Sequence, residues 1–162
     1  MNLNTALVNL LIQKKYHIAF AESCTGGLAA AGIVDVPDAS KVLGASFITY
    51  SNDAKIRLVN VSPDTLNHYS AISREVAAEM AKGAAESAYA DIGCGITGIA
   101  GPGSYDSLPE GLVCFGIYVS ANDYIKTYEI NFGAIGRENV RNESVRFLYS
   151  EVIKILDSQP SD

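Results

Sequence analysis

At 162 residues, 48% hydrophobic and 19% charged, the chain can bury one core and leaves no room for a second domain of ordinary size, so residues 1–162 are read as a single domain. A formal net charge of −6, with 12 basic residues that form no cluster, argues against nucleic acid and anionic membrane as partners. No apolar run approaches the roughly 20 residues of a membrane span, and Met1-Asn2-Leu3-Asn4 lacks the basic start of a secretory signal, so a soluble, cytoplasmic protein is expected.

In chain order, Leu3, Leu7, Leu10 and Leu11 recur at helical spacing between Asn2 or Asn4 as cap and Lys14-Lys15 at the C-terminal end. Tyr16 to Phe20 is a short β-branched and aromatic run, followed by Ala21-Glu22-Ser23-Cys24-Thr25-Gly26-Gly27 and then the helix formers Leu28 to Ala31. This reads as strand, tight turn and helix. A serine there would face the amides that the first helical turn leaves unpaired, which suits a nucleophile with its own oxyanion site. An ordinary helix cap with Gly-Gly at a tight joint explains the same residues.

The second helix should stop before Pro37. Val42 to Tyr50 ends as a strand, and Ser51-Asn52 can cap a short helix carrying Lys55, which brings Tyr50 and Lys55 to a second strand-to-helix joint. Ser62-Pro63 and Ser73 each start a further helix, the second with Val76, Met80, Ala84 and Ser87 as its buried stripe. Asp91 to Ile99 is a glycine-laced strand. Gly93 to Gly98 matches G-x-G-x-x-G, but Ala100-Gly101-Pro102-Gly103 follows instead of a helix, so the dinucleotide fingerprint is a false match. The glycines either let backbone approach a ligand faced by Thr97 or admit a neighbouring helix. Gly111 to Ser120 and Tyr124 to Asn131 form a hairpin, which makes the sheet mixed. A last helix from Arg137 to Leu156 buries Val140, Ser144, Leu148, Val152 and Ile155, with a frayed tail from Asp157. Arg137 and Arg141, one turn apart at its start, could hold a phosphate or be solvated.

The chemistry is narrowed by what is scarce. Cys24, Cys94 and Cys114 are far apart with no C-x-x-C, which argues against a disulfide framework or a zinc site. A Ser-His-Asp triad needs a histidine, yet His17 lies six residues before Ser23 on one strand, roughly 20 Å away at about 3.3 Å per residue. His68 carries no distinguishing context, and G-x-S-x-G is absent. Lysine is the remaining base: a partly buried Lys55 beside the Tyr50 hydroxyl could accept a proton from serine, as in Ser-Lys acyl-transfer sites. Cys24, a thiol at a helix N-terminus, is the competing nucleophile.

Taken together, Ala-Glu-Ser-Cys-Thr-Gly-Gly at 21–27, Thr-Tyr-Ser-Asn-Asp-Ala-Lys at 49–55 and Ala-Ile-Ser-Arg-Glu-Val-Ala at 71–77 give the chain a family likeness. With Thr-Gly-Ile-Ala-Gly-Pro-Gly at 97–103 and Arg-Glu-Asn-Val-Arg at 137–141, the chain resembles the C-terminal domain of CinA-type competence/damage-inducible proteins, which also occurs as a stand-alone nicotinamide-nucleotide amidohydrolase. The resemblance implies a three-layer α/β/α sandwich with a mixed sheet that deamidates nicotinamide mononucleotide to nicotinic acid mononucleotide and ammonia in pyridine nucleotide recycling. It makes Ser23 the nucleophile and Lys55 with Tyr50 its activators. Thr25, Gly26, Thr97, Gly98 and Gly101 would contact the substrate, and Arg137 and Arg141 its phosphate. It implies no metal or organic cofactor, a small-molecule nucleotide as partner, and a homo-oligomer. The larger family members carry an N-terminal domain that this chain is expected to lack. One segment departs: Leu108-Pro109-Glu110-Gly111-Leu112-Val113 stands where the family commonly has Lys-Pro-Val-Gly-Thr-Val. A lost cation and an added acid would weaken binding of a phosphorylated substrate if they faced it. The alternative that follows is a non-catalytic nucleotide-binding or regulatory relative.

Overall fold

A computed structural model describes residues 2–158. Five strands, β1 (Ile18–Glu22), β2 (Phe47–Ile48), β3 (Ile92–Gly98), β4 (Leu112–Val119) and β5 (Tyr124–Asn131), form one sheet in the order β2-β1-β3-β4-β5. β1 pairs in parallel with β2 and β3, whereas β3, β4 and β5 run antiparallel. The helices are α1 (Leu3–Lys14), α2 (Leu28–Val34), α3 (Asn52–Val59), α4 (Pro63–Tyr69), α5 (Arg74–Ala88) and α6 (Arg137–Ser158). The fold is thus α/β with a mixed sheet, as the hairpin required.

The cap residues set the helix starts. Side chains of Asn2, Ser51, Ser62 and Ser73 accept from backbone amides of the first turns of α1, α3, α4 and α5. Each supplies an oxygen to an amide that has no partner within its own helix.

Strand alternation sorts the core into two layers. Ile18 and Phe20 of β1, Ile92, Cys94 and Ile96 of β3, and Val113, Phe115, Ile117 and Val119 of β4 form one cluster with Leu7, Val8 and Leu11 of α1, Ile33 of α2 and the buried stripe of α6. Tyr149 of α6 packs in this layer and donates its hydroxyl to the Ala29 carbonyl of α2. On the opposite face, Ala19 and Ala21 of β1 meet Val59, Val76, Met80 and Ala84 from α3 and α5. Here α5 lies almost on the sheet. A Cβ built on Gly93 would stand 1.9 Å from the Ala81 carbonyl oxygen, and one on Gly95 or Gly116 would stand 2.3 Å from that of Ala77. Of the two readings of the glycine-laced strand, admission of a neighbouring helix therefore holds at Gly93 and Gly95.

Several expected boundaries shift. The first strand begins at Ile18 and runs on to Glu22, and the strand expected at the end of 42–50 is only Phe47–Ile48 at the sheet edge. Ser87 is exposed and donates to the Leu58 carbonyl, so the stripe of α5 turns through Ala81 and Ala85 instead. α6 continues through Asp157 and Ser158. The remainder of the expected tail, 159–162, lies outside the described residues.

The order of the strands decides where a site can form. The chain leaves β1 through α2 to β2 on one side, and returns through α3, α4 and α5 to β3 on the other. A crevice opens at the C-terminal ends of strands where such a reversal occurs. Ser23 follows β1, Tyr50 follows β2, and the segment Ile99 to Gly103 follows β3.

Candidate active site

The turn after β1 holds Ser23 by its backbone on both sides: its amide donates to the Ile96 carbonyl at 3.0 Å, and its carbonyl accepts from the Gly26 amide at 3.1 Å. Gly26 and Gly27 follow with φ of 57° and 104°, left-handed values that a side chain would strain, and so the chain can swing directly into α2. Glu22, only 1% exposed, turns back and accepts from the amides of Gly27, Ala29 and Ala30 at 3.1, 3.1 and 2.9 Å. This corrects one expectation. The amides at the start of α2 are capped by Glu22 rather than open to an oxyanion beside Ser23.

Lys55 enters from the first turn of α3 and is 1% exposed. Its Nζ donates to the Thr49 carbonyl at 2.8 Å and reaches Ser23 Oγ at 3.4 Å, at the long end of hydrogen-bond reach. Burial lowers its pKa from an ordinary 10.5 to about 8, against a small opposing influence of the Cys24 thiol.

A cavity of about 400 Å³ opens over this pair. Ser23, Tyr50, Lys55, Thr97, Gly98, Gly101 and Arg137 all line it, so seven residues singled out from the sequence come together across four segments of the chain. Thr97 is buried and donates its hydroxyl to the Ala71 carbonyl, which ties the end of β3 to the segment before α5. Arg137 donates to the Gly101 carbonyl at 2.6 Å and to the Tyr50 hydroxyl at 3.3 Å, spanning the mouth of the cavity. Tyr50 is 64% exposed, and among the described residues its hydroxyl bonds to Arg137 and not to Lys55 or Ser23. The expected Tyr50–Lys55 pair is therefore a shared cavity wall rather than a hydrogen bond.

Thr25, Gly26 and Arg141 are not among the residues lining the cavity. Arg141 is engaged elsewhere: Nε donates to the Cys24 carbonyl at 3.0 Å and Nη2 to the Thr25 carbonyl at 2.9 Å. Thr25 is fully buried, and its hydroxyl has no hydrogen-bond partner among the described residues.

The histidines stand apart from the site. His17 faces Asp91 at 3.7 Å and His68 packs edge-on to Tyr69, so neither serves as base to Ser23. Cys24 borders the cavity but is 6% exposed, and burial pushes its thiol up to about 12. At neutral pH it is a protonated thiol, the weak form of that nucleophile. Cys94 and Cys114 are free and buried as well, their thiols raised first by desolvation. We therefore expect native protein at pH 7.5 to resist iodoacetamide for hours while denatured protein takes up three labels, as counted by intact mass. Rapid native labelling at Cys24 would reopen the thiol as nucleophile.

The departing segment has a structural place. Glu110 accepts from the Gly103 amide at 2.8 Å, and a Cβ on Gly101 would stand 2.4 Å from its carboxyl, so the acid packs against the loop backbone. The added acid braces the Gly101–Gly103 loop and is not among the cavity-lining residues. Leu108 closes a tight two-residue turn with Tyr105, with φ of 46° and 64° at Asp106 and Ser107.

The family model described as "CinA C-terminal domain" matches residues 1–156. The chain belongs to the CinA C-terminal domain family. A CinA superfamily protein from Escherichia coli superimposes with a TM-score of 0.90 at 39% identity, over 95% of this chain and 88% of that one. A competence/damage inducible protein from Agrobacterium tumefaciens gives 0.88 at 33% identity, over 98% of each. Among curated relatives, a CinA-like protein of Kosmotoga olearia is 42% identical over 156 residues, 96% of this chain and 37% of that protein. A competence-damage inducible protein of Clostridium botulinum is 43% identical over 146 residues, 89% of this chain and 35% of that protein. The chain thus spans about a third of the length of these curated CinA relatives.

Some residues of this candidate site escaped sequence reasoning. Glu22 sits in the last position of a strand, five residues before the amide it first caps, so no capping-box spacing announces it. Ala71 and Ile72, which line the cavity, come from a connecting segment with no chemical signal.

Proposed function

We propose that this CinA domain is a serine amidohydrolase that deamidates nicotinamide mononucleotide to nicotinic acid mononucleotide and ammonia. The observation that carries the reading is the buried Lys55 Nζ, 3.4 Å from Ser23 Oγ with its pKa lowered to about 8, at the floor of a cavity of about 400 Å³. A lysine so placed can be neutral in a useful fraction of molecules and act as base.

Neutral Lys55 takes the Ser23 proton as Oγ attacks the carboxamide carbon. The tetrahedral intermediate collapses when the Lys55 ammonium returns a proton to the departing nitrogen, and ammonia leaves. Water then adds to the acyl-enzyme with Lys55 again as base, releasing the carboxylate product and the serine. The Thr49 carbonyl fixes the amine throughout by accepting one of its protons. Arg137 at the cavity mouth supplies the cation for the phosphate, exchanging its bonds to Gly101 and Tyr50 for charge-assisted ones. Arg141, already bonded to two carbonyls, is not assigned to the phosphate. Glu110 is held by the Gly103 amide, which weighs against reading the departure at 108–112 as loss of substrate binding.

The test is ammonia release from nicotinamide mononucleotide as a function of pH. Because the neutral amine is the active form, kcat/KM should rise about tenfold per unit below pH 8 and level off above it. A profile that falls through that window, or no ammonia release at any pH, would contradict the assignment.

A further inference from the structure

Glu22 and Arg141 hold the same turn with opposite charge and through complementary groups. Glu22 receives three amides, of Gly27, Ala29 and Ala30, while Arg141 donates to two carbonyls, of Cys24 and Thr25. Between them they fix the peptide groups on the C-terminal side of Ser23, and the Ile96 carbonyl fixes its own amide. We propose that Glu22 and Arg141 are positioning residues that aim the Ser23 hydroxyl at the carboxamide carbon, a role that rests on the reading of Ser23 as nucleophile.

The arrangement is costly unless it has such a use. A carboxylate 1% exposed loses its hydration, and only the amides it collects compensate for that loss. An uncharged cap such as Ser or Asn would satisfy the start of a seven-residue helix with less desolvation. What Glu22 adds is reach: one side chain at the end of β1 locks the amide of Gly27, the N-cap of the following helix, and two amides of its first turn, and so fixes the intervening turn as a single body. Arg141 adds the tie to α6, the helix whose first residue is Arg137 in the cavity wall. A serine rotamer follows from its backbone, and a nucleophile displaced by about 1 Å can lose on the order of 100-fold in rate. Glu22 and Arg141 are not among the residues lining the cavity, so their effect should reach the reaction only through the turn.

The experiment uses Glu22→Gln, Arg141→Lys and Ser23→Ala in the whole chain. Gln keeps the shape of Glu but turns an amide group toward amide donors, and Lys keeps the charge of Arg but loses its two-pronged donation. Each variant is checked for a cooperative melt, then assayed for kcat and KM on nicotinamide mononucleotide and for the rate at which a fluorophosphonate labels Ser23, read by intact mass. The proposal expects both positioning variants, folded, to lose about tenfold or more in kcat with KM within about threefold, and the labelling rate to fall in parallel. Wild-type kcat and labelling in both variants would overturn it. So would a rise in KM at constant kcat, which would return Arg141 to substrate binding. If Glu22→Gln does not melt cooperatively, Arg141→Lys decides alone, and loss of folding in both would reduce the pair to structural caps. Turnover that persists in Ser23→Ala is a different failure: it removes the nucleophile itself, and the positioning role with it.

Discussion

Lys55→Met should abolish deamidation, lowering kcat by about 1,000-fold or more, and yet raise the melting temperature at pH 7. The two effects share one cause. A side chain 1% exposed whose pKa is lowered by burial is less willing to be charged in the folded protein than in the unfolded chain. The unfolded chain therefore binds more protons between the folded value of about 8 and the ordinary 10.5, so stability rises with pH across that window. Below pH 8 the penalty is present in full, and above 10.5 it is gone. Methionine fills the same space without a charge, at the cost of leaving the Thr49 carbonyl without its donor. We expect a net gain of about 1 kcal/mol, or roughly 3 °C, at pH 7. The gain should shrink as pH rises past 8 in calorimetric scans. A variant less stable than wild type at pH 7, with the gap constant to pH 10, would show that Lys55 is not held against its charge.

Gly95→Val and Gly116→Val should each destabilise the fold by about 3 kcal/mol or more. The two glycines are cross-strand partners in β3 and β4, and a Cβ on either would stand 2.3 Å from the same Ala77 carbonyl oxygen in α5. That contact is with backbone, so relief requires the helix to move off the sheet. Once one substitution has lifted α5, the other costs less. The double variant should therefore lose well under the sum of the two, a coupling measurable by urea denaturation with both singles and the double. Additive losses would mean that each glycine is crowded by a different neighbour. Because the Ala71 carbonyl just before α5 accepts from Thr97 in the cavity wall, activity should fall with helix displacement in the single variants.

How much of this was readable from the chain follows from the range of the interactions. Ser51, Ser62 and Ser73 announce their helices because a cap acts on amides two or three residues away. The antiparallel β4–β5 pair is equally local, set by a connection too short for a crossover. The meeting of Ser23 with Lys55, 32 residues apart, carries no local signal; elimination of the histidines leaves a lysine, its place beside Tyr50 at a strand-to-helix joint picks Lys55, and the family likeness implies the same residue. Helical spacing and the family likeness both group Arg141 with Arg137, yet one turn of α6 separates the cavity wall, where Arg137 bonds Gly101, from the Cys24 and Thr25 carbonyls that Arg141 holds. The glycines of β3 left ligand and helix equally open, because only the opposing Ala77 and Ala81 carbonyls distinguish them. Ser87 differs for a related reason: helical spacing carries the face about three turns on from Val76, but the exposed Ser87 hydroxyl meets the Leu58 carbonyl of α3 and donates to it.

The central claim is that Ser23, and not its neighbour Cys24, attacks the amide. Ammonia release from nicotinamide mononucleotide by wild type, Ser23→Ala and Cys24→Ala, compared at pH 8.5, above the lowered Lys55 pKa, is the decisive comparison. The account predicts loss of release in Ser23→Ala, by about 1,000-fold or more, and retention within about threefold in Cys24→Ala. Release that survives in Ser23→Ala and disappears in Cys24→Ala would contradict it.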